Sequence, residues 1–149
     1  MKARYKHTNV IARDWRALAR FYQDVFGCVP VPPERHLSGA WLEQGTGVPG
    51  AQFSGVHLRL PGYGEAGPTL EIYQYSRNEP RLPSAANREG IAHIAFEVDD
   101  VGQAAQEVLK HGGTSVGEIT TARIEGAGLL TFVYLADPEG NLIELQAWS

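Results

Sequence analysis

Two histidines and two glutamates of this 149-residue chain stand at matching places in its two halves. His7 and His93 each lie on a segment that opens a half, whereas Glu71 in TLEIYQY and Glu144 in NLIELQAW lie on the closing segments. Burying two carboxylates near each other without a counter-charge is costly. A divalent cation removes that cost, because two neutral imidazoles, two carboxylates and a 2+ ion sum to zero charge. The pattern predicts a divalent metal site, and these ligands suit Ni, Co, Mn, Fe or Zn.

Strand alternation predicts that the four side chains lie on a polar face. Neighbouring residues of a strand point to opposite faces of its sheet. The apolar neighbours of the two glutamates therefore lie on the other face, where they can pack under helices; they are Leu70, Ile72, Ile143 and Leu145. A single histidine or glutamate on a strand is usually a structural or solvent-facing residue. The matching placement of all four is what favours a ligand role.

The first half predicts a strand, a helix and two further strands. The strand runs from Tyr5 to Ile11, and Asp14 then stands at the N-cap of a helix that ends at Gly27. The segment Pro30 to Gly55 is rich in proline and glycine and predicts a long loop. The next strands are predicted at Val56 to Leu60 and at Thr69 to Tyr75.

The second half repeats this order after a polar linker, Ser76 to Glu89. A strand from Ile91 to Val98 is followed by a helix that Asp99 or Asp100 caps and that Gly112 and Gly113 end. Further strands are predicted at Thr114 to Ile119, Leu129 to Leu135 and Asn141 to Trp148, and DPEG between the last two predicts a type I turn. We interpret both halves as βαβββ units, although only two strands are located after the helix of the first half, and the shared order predicts an internal structural repeat.

Composition and charge argue weakly against several classes of partner. The hydrophobic content of 43% and the charged content of 20% are those of a globular protein. A net charge of −4 and scattered basic residues argue against a nucleic-acid or anionic-membrane partner. We find no signal peptide or membrane span, and the single Cys28 suits a reducing compartment, so we expect a cytoplasmic protein.

The motifs resemble those of the vicinal oxygen chelate superfamily, which includes glyoxalases, bleomycin resistance proteins and dioxygenases. The resemblance lies in HTNVIARDWRALARFYQDVFG, LEIYQY, IAHIAFEVDDV and DPEGNLIELQ, which span His7 to Gln146. It implies an α+β fold in which paired βαβββ modules form a cupped mixed sheet around a metal. It also implies a single domain over residues 1–149, with module one at about 1–76 and module two at about 90–149, and a homodimer.

The four predicted ligands match the His, Glu, His, Glu pattern of bacterial glyoxalase I (lactoylglutathione lyase). Methylmalonyl-CoA epimerase usually has glutamine where Glu71 stands, and extradiol dioxygenases leave that position apolar. Bleomycin-type resistance proteins lack the ligands. The Pro30 to Gly55 segment does not match the substrate loops of glyoxalase I, and no basic residues can be assigned to glutathione carboxylates. The resemblance therefore supports the metal but leaves the small-molecule substrate open.

The resemblance implies a lyase or isomerase that transfers a proton next to a carbonyl group, through a metal-bound enediolate. Glu144 is then the base, Glu71 is its pseudo-symmetric partner in catalysis, and both histidines hold the metal. Three alternatives remain open: an epimerase like that of methylmalonyl-CoA, a non-haem ring-cleaving dioxygenase, and a resistance protein that binds a drug or metabolite without turnover.

Five other side chains are considered. Tyr73 and Tyr75 share the face of Glu71, where they line the pocket or fill its floor. Trp41 and Phe53 lie in the predicted long loop, and we expect them to close over a substrate as a lid. His57, in VHLRL, has no counterpart in the second half and is interpreted as structural.

Overall fold

The computed structural model describes all of residues 1–149, which form nine strands and three helices. Their contacts divide the chain into two units, Met1–Pro80 and Arg81–Ser149. The first unit contains β1 (His7–Ile11), α1 (Trp15–Phe26), β2 (Val29–Ser38), α2 (Ala40–Thr46), β3 (Gln52–Arg59) and β4 (Thr69–Tyr75). The second contains β5 (His93–Glu97), α3 (Val101–Lys110), β6 (Thr114–Ser115), β7 (Thr120–Ile124), β8 (Gly128–Ala136) and β9 (Leu142–Trp148).

The first unit is a four-stranded mixed sheet with strand order β1-β4-β3-β2. Strand β1 runs parallel to β4, and the other neighbours are antiparallel. Helix α1 begins where the Asp14 side chain accepts hydrogen bonds from the backbone of Arg16 and Ala17, and ends at Gly27 with φ of 66°. It packs on β3 and β4. Both predicted helix caps are confirmed.

The second unit repeats this topology. Its sheet has the order β5-β9-β8, after which both β6 and β7 pair with β8. Strand β5 runs parallel to β9, as β1 does to β4, and α3 packs on β8 and β9. Asp100, not Asp99, caps α3 by accepting from the backbone of Gln103. The predicted α+β fold of paired βαβββ modules is confirmed.

The prediction of a long loop over Pro30 to Gly55 is wrong. This segment contains β2, α2 and the start of β3. Strand β2 is at the edge of the sheet, where prolines are tolerated because one side of the strand makes no ladder bonds. The register shifts between Val31 and Arg35, so the strand passes its prolines with an irregularity.

The expectation of a lid does not hold for Phe53. This residue lies on β3 and is buried with Leu42 of α2 and Ala51 in a small apolar cluster, against which Tyr73 and Tyr75 pack. Trp41 lies exposed on α2.

Two strands of the second unit differ from the prediction. Strand β7 is absent from the predicted strands, and the strand predicted at Thr114 to Ile119 is only two residues long.

The predicted turn between β8 and β9 is confirmed. The carboxylate of Asp137 accepts hydrogen bonds from the backbone of Glu139 and Asn141 and from the Asn141 side chain. None of the three helices is long and apolar enough to cross a membrane.

Candidate metal centre

The first predicted ligand pair is brought together on neighbouring parallel strands. His7 on β1 lies opposite Thr69 of β4, two residues before Glu71 and therefore on the same face. His7 Nδ1 lies 3.2 Å from Glu71 Oε1. Glu71 is only 7% exposed, so its charge is largely removed from water.

The second pair repeats the same offset. His93 on β5 lies opposite Leu142 of β9, two residues before Glu144. His93 Nε2 lies 2.9 Å from Glu144 Oε2, and the side chains are 27% and 14% exposed. An identical strand order and register thus place an imidazole against a carboxylate once in each unit.

The apolar neighbours of each glutamate anchor its strand on the opposite face. Leu70 and Ile72 are 1% and 0% exposed, and α1 packs on β3 and β4. Ile143 and Leu145 are likewise fully buried, and α3 packs on β8 and β9. A shift of one residue would move each carboxylate to the helix side and these apolar residues away from it, so burial fixes the register.

Two further side chains lie directly opposite the glutamates, and the sequence singled out only the first of them. His57 of β3 pairs with Glu71, and Tyr134 of β8 pairs with Glu144. No histidine of the second half corresponds to His57, and Tyr134 occupies the equivalent position. The hairpins differ in length, so His57 precedes its glutamate by 14 positions and Tyr134 by 10, which hid the equivalence.

Glu71 has two further polar neighbours in the first unit. His57 Nε2 lies 3.4 Å from Glu71 Oε1 and 2.5 Å from the Tyr73 hydroxyl oxygen. Burial lowers the pKa of His57, and the Glu71 carboxylate opposes this shift. Burial and then the charge of Glu71 raise the pKa of Tyr73. At neutral pH His57 is therefore a neutral imidazole and Tyr73 a neutral phenol.

Tyr73 and Tyr75 share the face of Glu71, as expected from alternation. The Tyr73 ring stacks on Phe53 with centroids 4.3 Å apart and planes at 18°, so it is part of the floor. Tyr75 also contacts Phe53 and lines a cavity of about 520 Å³ with Ile11 and Val48. Tyr73 therefore forms part of the floor. Tyr75 packs against the same cluster, and its role in lining the pocket of the metal site stays a prediction, because none of the four predicted ligands lines this cavity.

Glu144 has a different surrounding in the second unit. The His93 ring lies 4.9 Å from the Tyr134 ring. Burial and then the Glu144 charge raise the pKa of Tyr134, which is therefore a neutral phenol at neutral pH. His93 Nδ1 is buried and has no hydrogen-bond partner. A buried polar atom without a partner is rare in proteins and marks a place where an additional group satisfies it.

The donor chemistry of both pairs fits a divalent metal. Two donors that bind one ion at about 2.0 to 2.2 Å, with an angle of about 90 to 110°, lie about 2.8 to 3.6 Å apart. The nitrogen-to-oxygen distances of 3.2 and 2.9 Å lie within this span. Each pair nevertheless supplies only two donors, and in neither unit are three or more His, Cys, Asp or Glu side chains grouped for a metal.

Comparison with known proteins gives one family. The sequence profile of the Glyoxalase/Bleomycin resistance protein/Dioxygenase superfamily matches residues 4–145. No curated protein is significantly similar in sequence.

Similar solved structures include a glyoxalase family protein from Bacillus cereus, at 18% identity and a TM-score of 0.75, covering 99% of this chain and 94% of that one. A glyoxalase family protein from Enterococcus faecalis has 22% identity and a TM-score of 0.64, with 96% of each chain covered. A fosfomycin resistance protein from Listeria monocytogenes has 18% identity and a TM-score of 0.62, covering 100% of this chain and 96% of that one. At these identities the structures establish the fold.

Proposed function

We propose that this chain, which belongs to the Glyoxalase/Bleomycin resistance protein/Dioxygenase superfamily, is a metal-dependent lyase or isomerase. The reaction is proton transfer next to a carbonyl group, as in lactoylglutathione lyase. The observation that carries the proposal is the repeated pairing of imidazole and carboxylate, at 3.2 Å in one unit and 2.9 Å in the other, at equivalent register positions.

The proposed ligands are His7, Glu71, His93 and Glu144, and the proposed ion is Ni, Co, Zn, Mn or Fe in its divalent state. A bound ion of this kind polarises a carbonyl oxygen and stabilises the negative charge that develops on it. The histidines contribute neutral nitrogen donors, and the carboxylates balance the charge of the ion. The number of ions bound per chain shows whether all four donors bind the same ion.

We assign the proton transfer to Glu144. Its side chain is 14% exposed against 9% for Glu71, and a base must reach the proton that it abstracts. The carboxylate of Glu71 is close to both His7 and His57, which restrains it. Glu71 is therefore the better static ligand, and Glu144 the better acceptor of a proton.

The substrate in this proposal is a small molecule with an acidic C–H beside a carbonyl. The cavity of about 520 Å³ beside Tyr75 has the volume of a small-molecule pocket, but none of the four proposed ligands lines it, so it is not assigned to the substrate. The proposal also includes a homodimer and a cytoplasmic location.

Metal content tests the proposal. The protein, purified without chelators or an affinity metal, is analysed by mass spectrometry alongside Glu71→Leu and the surface control Glu118→Gln. We expect about one transition metal per chain in the parent and the control, and loss in Glu71→Leu, since leucine fills the site without donating. Hemithioacetals and acyl-CoA epimers are then assayed for solvent deuterium incorporation at the carbon beside the carbonyl.

The other functions give different results. Iron kept in full by Glu71→Leu, with oxygen consumption on an aromatic substrate, would indicate a dioxygenase and contradict the lyase proposal. No metal in the parent, and none taken up from added Ni, Co, Mn or Zn, would leave a binding protein without turnover.

A further inference from the structure

The carboxylate of Glu71 lies beside two aromatic side chains that contact each other. His57 Nε2 is 2.5 Å from the Tyr73 hydroxyl oxygen and 3.4 Å from Glu71 Oε1, and burial and then the Glu71 carboxylate raise the pKa of Tyr73. A neutral imidazole has one N–H, a phenol has one O–H, and a carboxylate only accepts. The assignment that uses each proton once has His57 donating to the Tyr73 oxygen, and the Tyr73 O–H donating to Glu71.

The Tyr73 ring is held in place by a glycine and a phenylalanine of the neighbouring strand. Gly55 lies opposite Tyr73, and a Cβ at Gly55 would stand 2.4 Å from Tyr73 Cδ1 and 2.1 Å from the Ile72 carbonyl oxygen. A larger residue at position 55 would overlap the Tyr73 ring, so only glycine leaves room for the ring. Stacking on Phe53, with planes at 18°, holds the ring from another side.

The second unit lacks this arrangement although its register is the same. Gln146 of β9 is two residues beyond Glu144, as Tyr73 is beyond Glu71, and Phe132 lies opposite Gln146 where Gly55 lies opposite Tyr73. Tyr134 takes the place of His57. The hydrogen-bonded chain onto the carboxylate is thus a feature of the first unit alone.

We infer that Tyr73 and His57 are positioning residues that fix the orientation of the Glu71 carboxylate toward His7. A carboxylate fixed in advance loses less conformational freedom when it binds a metal, so the protein binds the ion more tightly. Gly55 and Phe53 hold the ring that carries the hydroxyl. This inference rests on the proposed function, because it gives the Glu71 carboxylate a metal to bind.

The test is a Co(II) titration of the full-length chain, followed by visible absorption, in which Tyr73→Phe is compared with Tyr75→Phe. Both variants remove one hydroxyl and keep a ring that contacts Phe53, so they form a matched pair. Loss of a group that orients a ligand costs about 10- to 100-fold in metal affinity. We expect a loss of at least about tenfold in Tyr73→Phe and less than about twofold in Tyr75→Phe.

A second readout separates positioning from stability. The unfolding free energy of both variants is measured without metal. In Tyr73→Phe, the loss of metal-binding free energy should be larger than the loss of unfolding free energy. Equal affinities of Tyr73→Phe and the parent would overturn the inference. An affinity loss shared by Tyr75→Phe would also overturn it, because a general loosening of the aromatic cluster would then be the cause.

A third readout distinguishes failure of this inference from failure of the proposed function. If the parent protein binds no Co(II), the proposed function is wrong. The hydrogen bonds among His57, Tyr73 and Glu71 are then tested in the metal-free protein by nitrogen NMR of the His57 ring. The ring nitrogen shifts should change in Tyr73→Phe and stay constant in Tyr75→Phe. Unchanged shifts in Tyr73→Phe would show that the chain is absent and overturn the inference by themselves.

Discussion

Replacing the Asp137 carboxylate by an amide should destabilise the protein by about 2 to 3 kcal/mol. Asp137 lies in the turn that leads into β9, the strand of Glu144, and is 1% exposed. One of its oxygens accepts from the backbone N–H groups of Glu139 and Asn141, both at 2.9 Å. The other accepts from Asn141 Nδ2 at 2.6 Å.

The magnitude follows from what Asp137→Asn leaves behind. The amide oxygen can keep both backbone bonds, but the new amide NH₂ then faces the NH₂ of Asn141, and two donors meet. Turning the Asn141 amide over would present its oxygen instead, but that oxygen accepts from Arg81 Nη1 at 2.7 Å. Either way one charge-assisted hydrogen bond is lost, and such bonds contribute about 1.5 to 3 kcal/mol.

Thermal and urea unfolding measure this loss. At about 2 to 4 °C per kcal/mol for a chain of this size, the melting temperature should fall by about 4 to 12 °C. Asp99→Asn, which removes the same charge from an exposed position that caps no helix, is the control. The double variant Asp137→Asn with Asn141→Asp restores a donor opposite an acceptor and offers Arg81 a carboxylate, so it should recover at least half of the loss. Equal stabilities of Asp137→Asn and Asp99→Asn would refute the reasoning.

Three further predictions concern the first unit. Gly55→Ala should lose about 1 to 3 kcal/mol by overpacking and should weaken Co(II) binding as Tyr73→Phe does, whereas Gly45→Ala, whose added methyl meets nothing within 4 Å, should keep both. Burial raises the pKa of Cys28 to about 11, so Ellman's reagent at pH 8 should react only after unfolding. Because the pKa of Cys28 is higher in the folded than in the unfolded protein, the unfolding free energy should fall as the pH rises above about 9. The fall should be smaller in Cys28→Ala. A thiol of the native protein that reacts at once with the reagent would contradict the burial of Cys28. Asp14→Ala should lose about 1 kcal/mol in urea unfolding, because two backbone N–H groups of α1 lose their acceptor, and Asp24→Ala on the exposed face should not.

The sequence predicts those elements whose stability is local. Strand β4 has the predicted bounds, Thr69–Tyr75, because β-branched, aromatic and apolar residues alternate with polar ones between two turns. Helix α1 has a capping aspartate, an apolar stripe and a terminal glycine, each of which acts within one turn of the helix. These signals depend on neighbours in the chain, and they are therefore visible in the chain.

The missed strands depend on pairing instead. Strand β7 is exposed along its whole length, and it forms because β8 offers a hydrogen-bonding edge. Strand β2 contains three prolines and is a strand only as the edge partner of β3. Strand β7 has no alternation of buried and exposed residues, and in β2 only residues 34–38 alternate, between exposed and half-buried.

The candidate site was predicted in part for the same reason. The facing of His7 with Glu71, and of His93 with Glu144, follows from alternation within strands that the sequence located well. The place of His57 depends on the length of a hairpin connection, and the predicted lengths gave no reason to align it with Tyr134. That the four residues share one metal stays a prediction.

The two carboxylates illustrate how one backbone plan gives two environments. Register alone makes Glu71 and Glu144 equivalent, since each lies two residues beyond the partner of a histidine. The residues opposite and beyond them break the equivalence: a hydrogen-bonded imidazole and phenol surround Glu71, whereas a single phenol faces Glu144. A carboxylate that is close to more polar side chains has less freedom to change its orientation. The structural repeat therefore supplies matching positions for two acids, and the side chains across the strand give them the different surroundings on which the proposal of different roles depends.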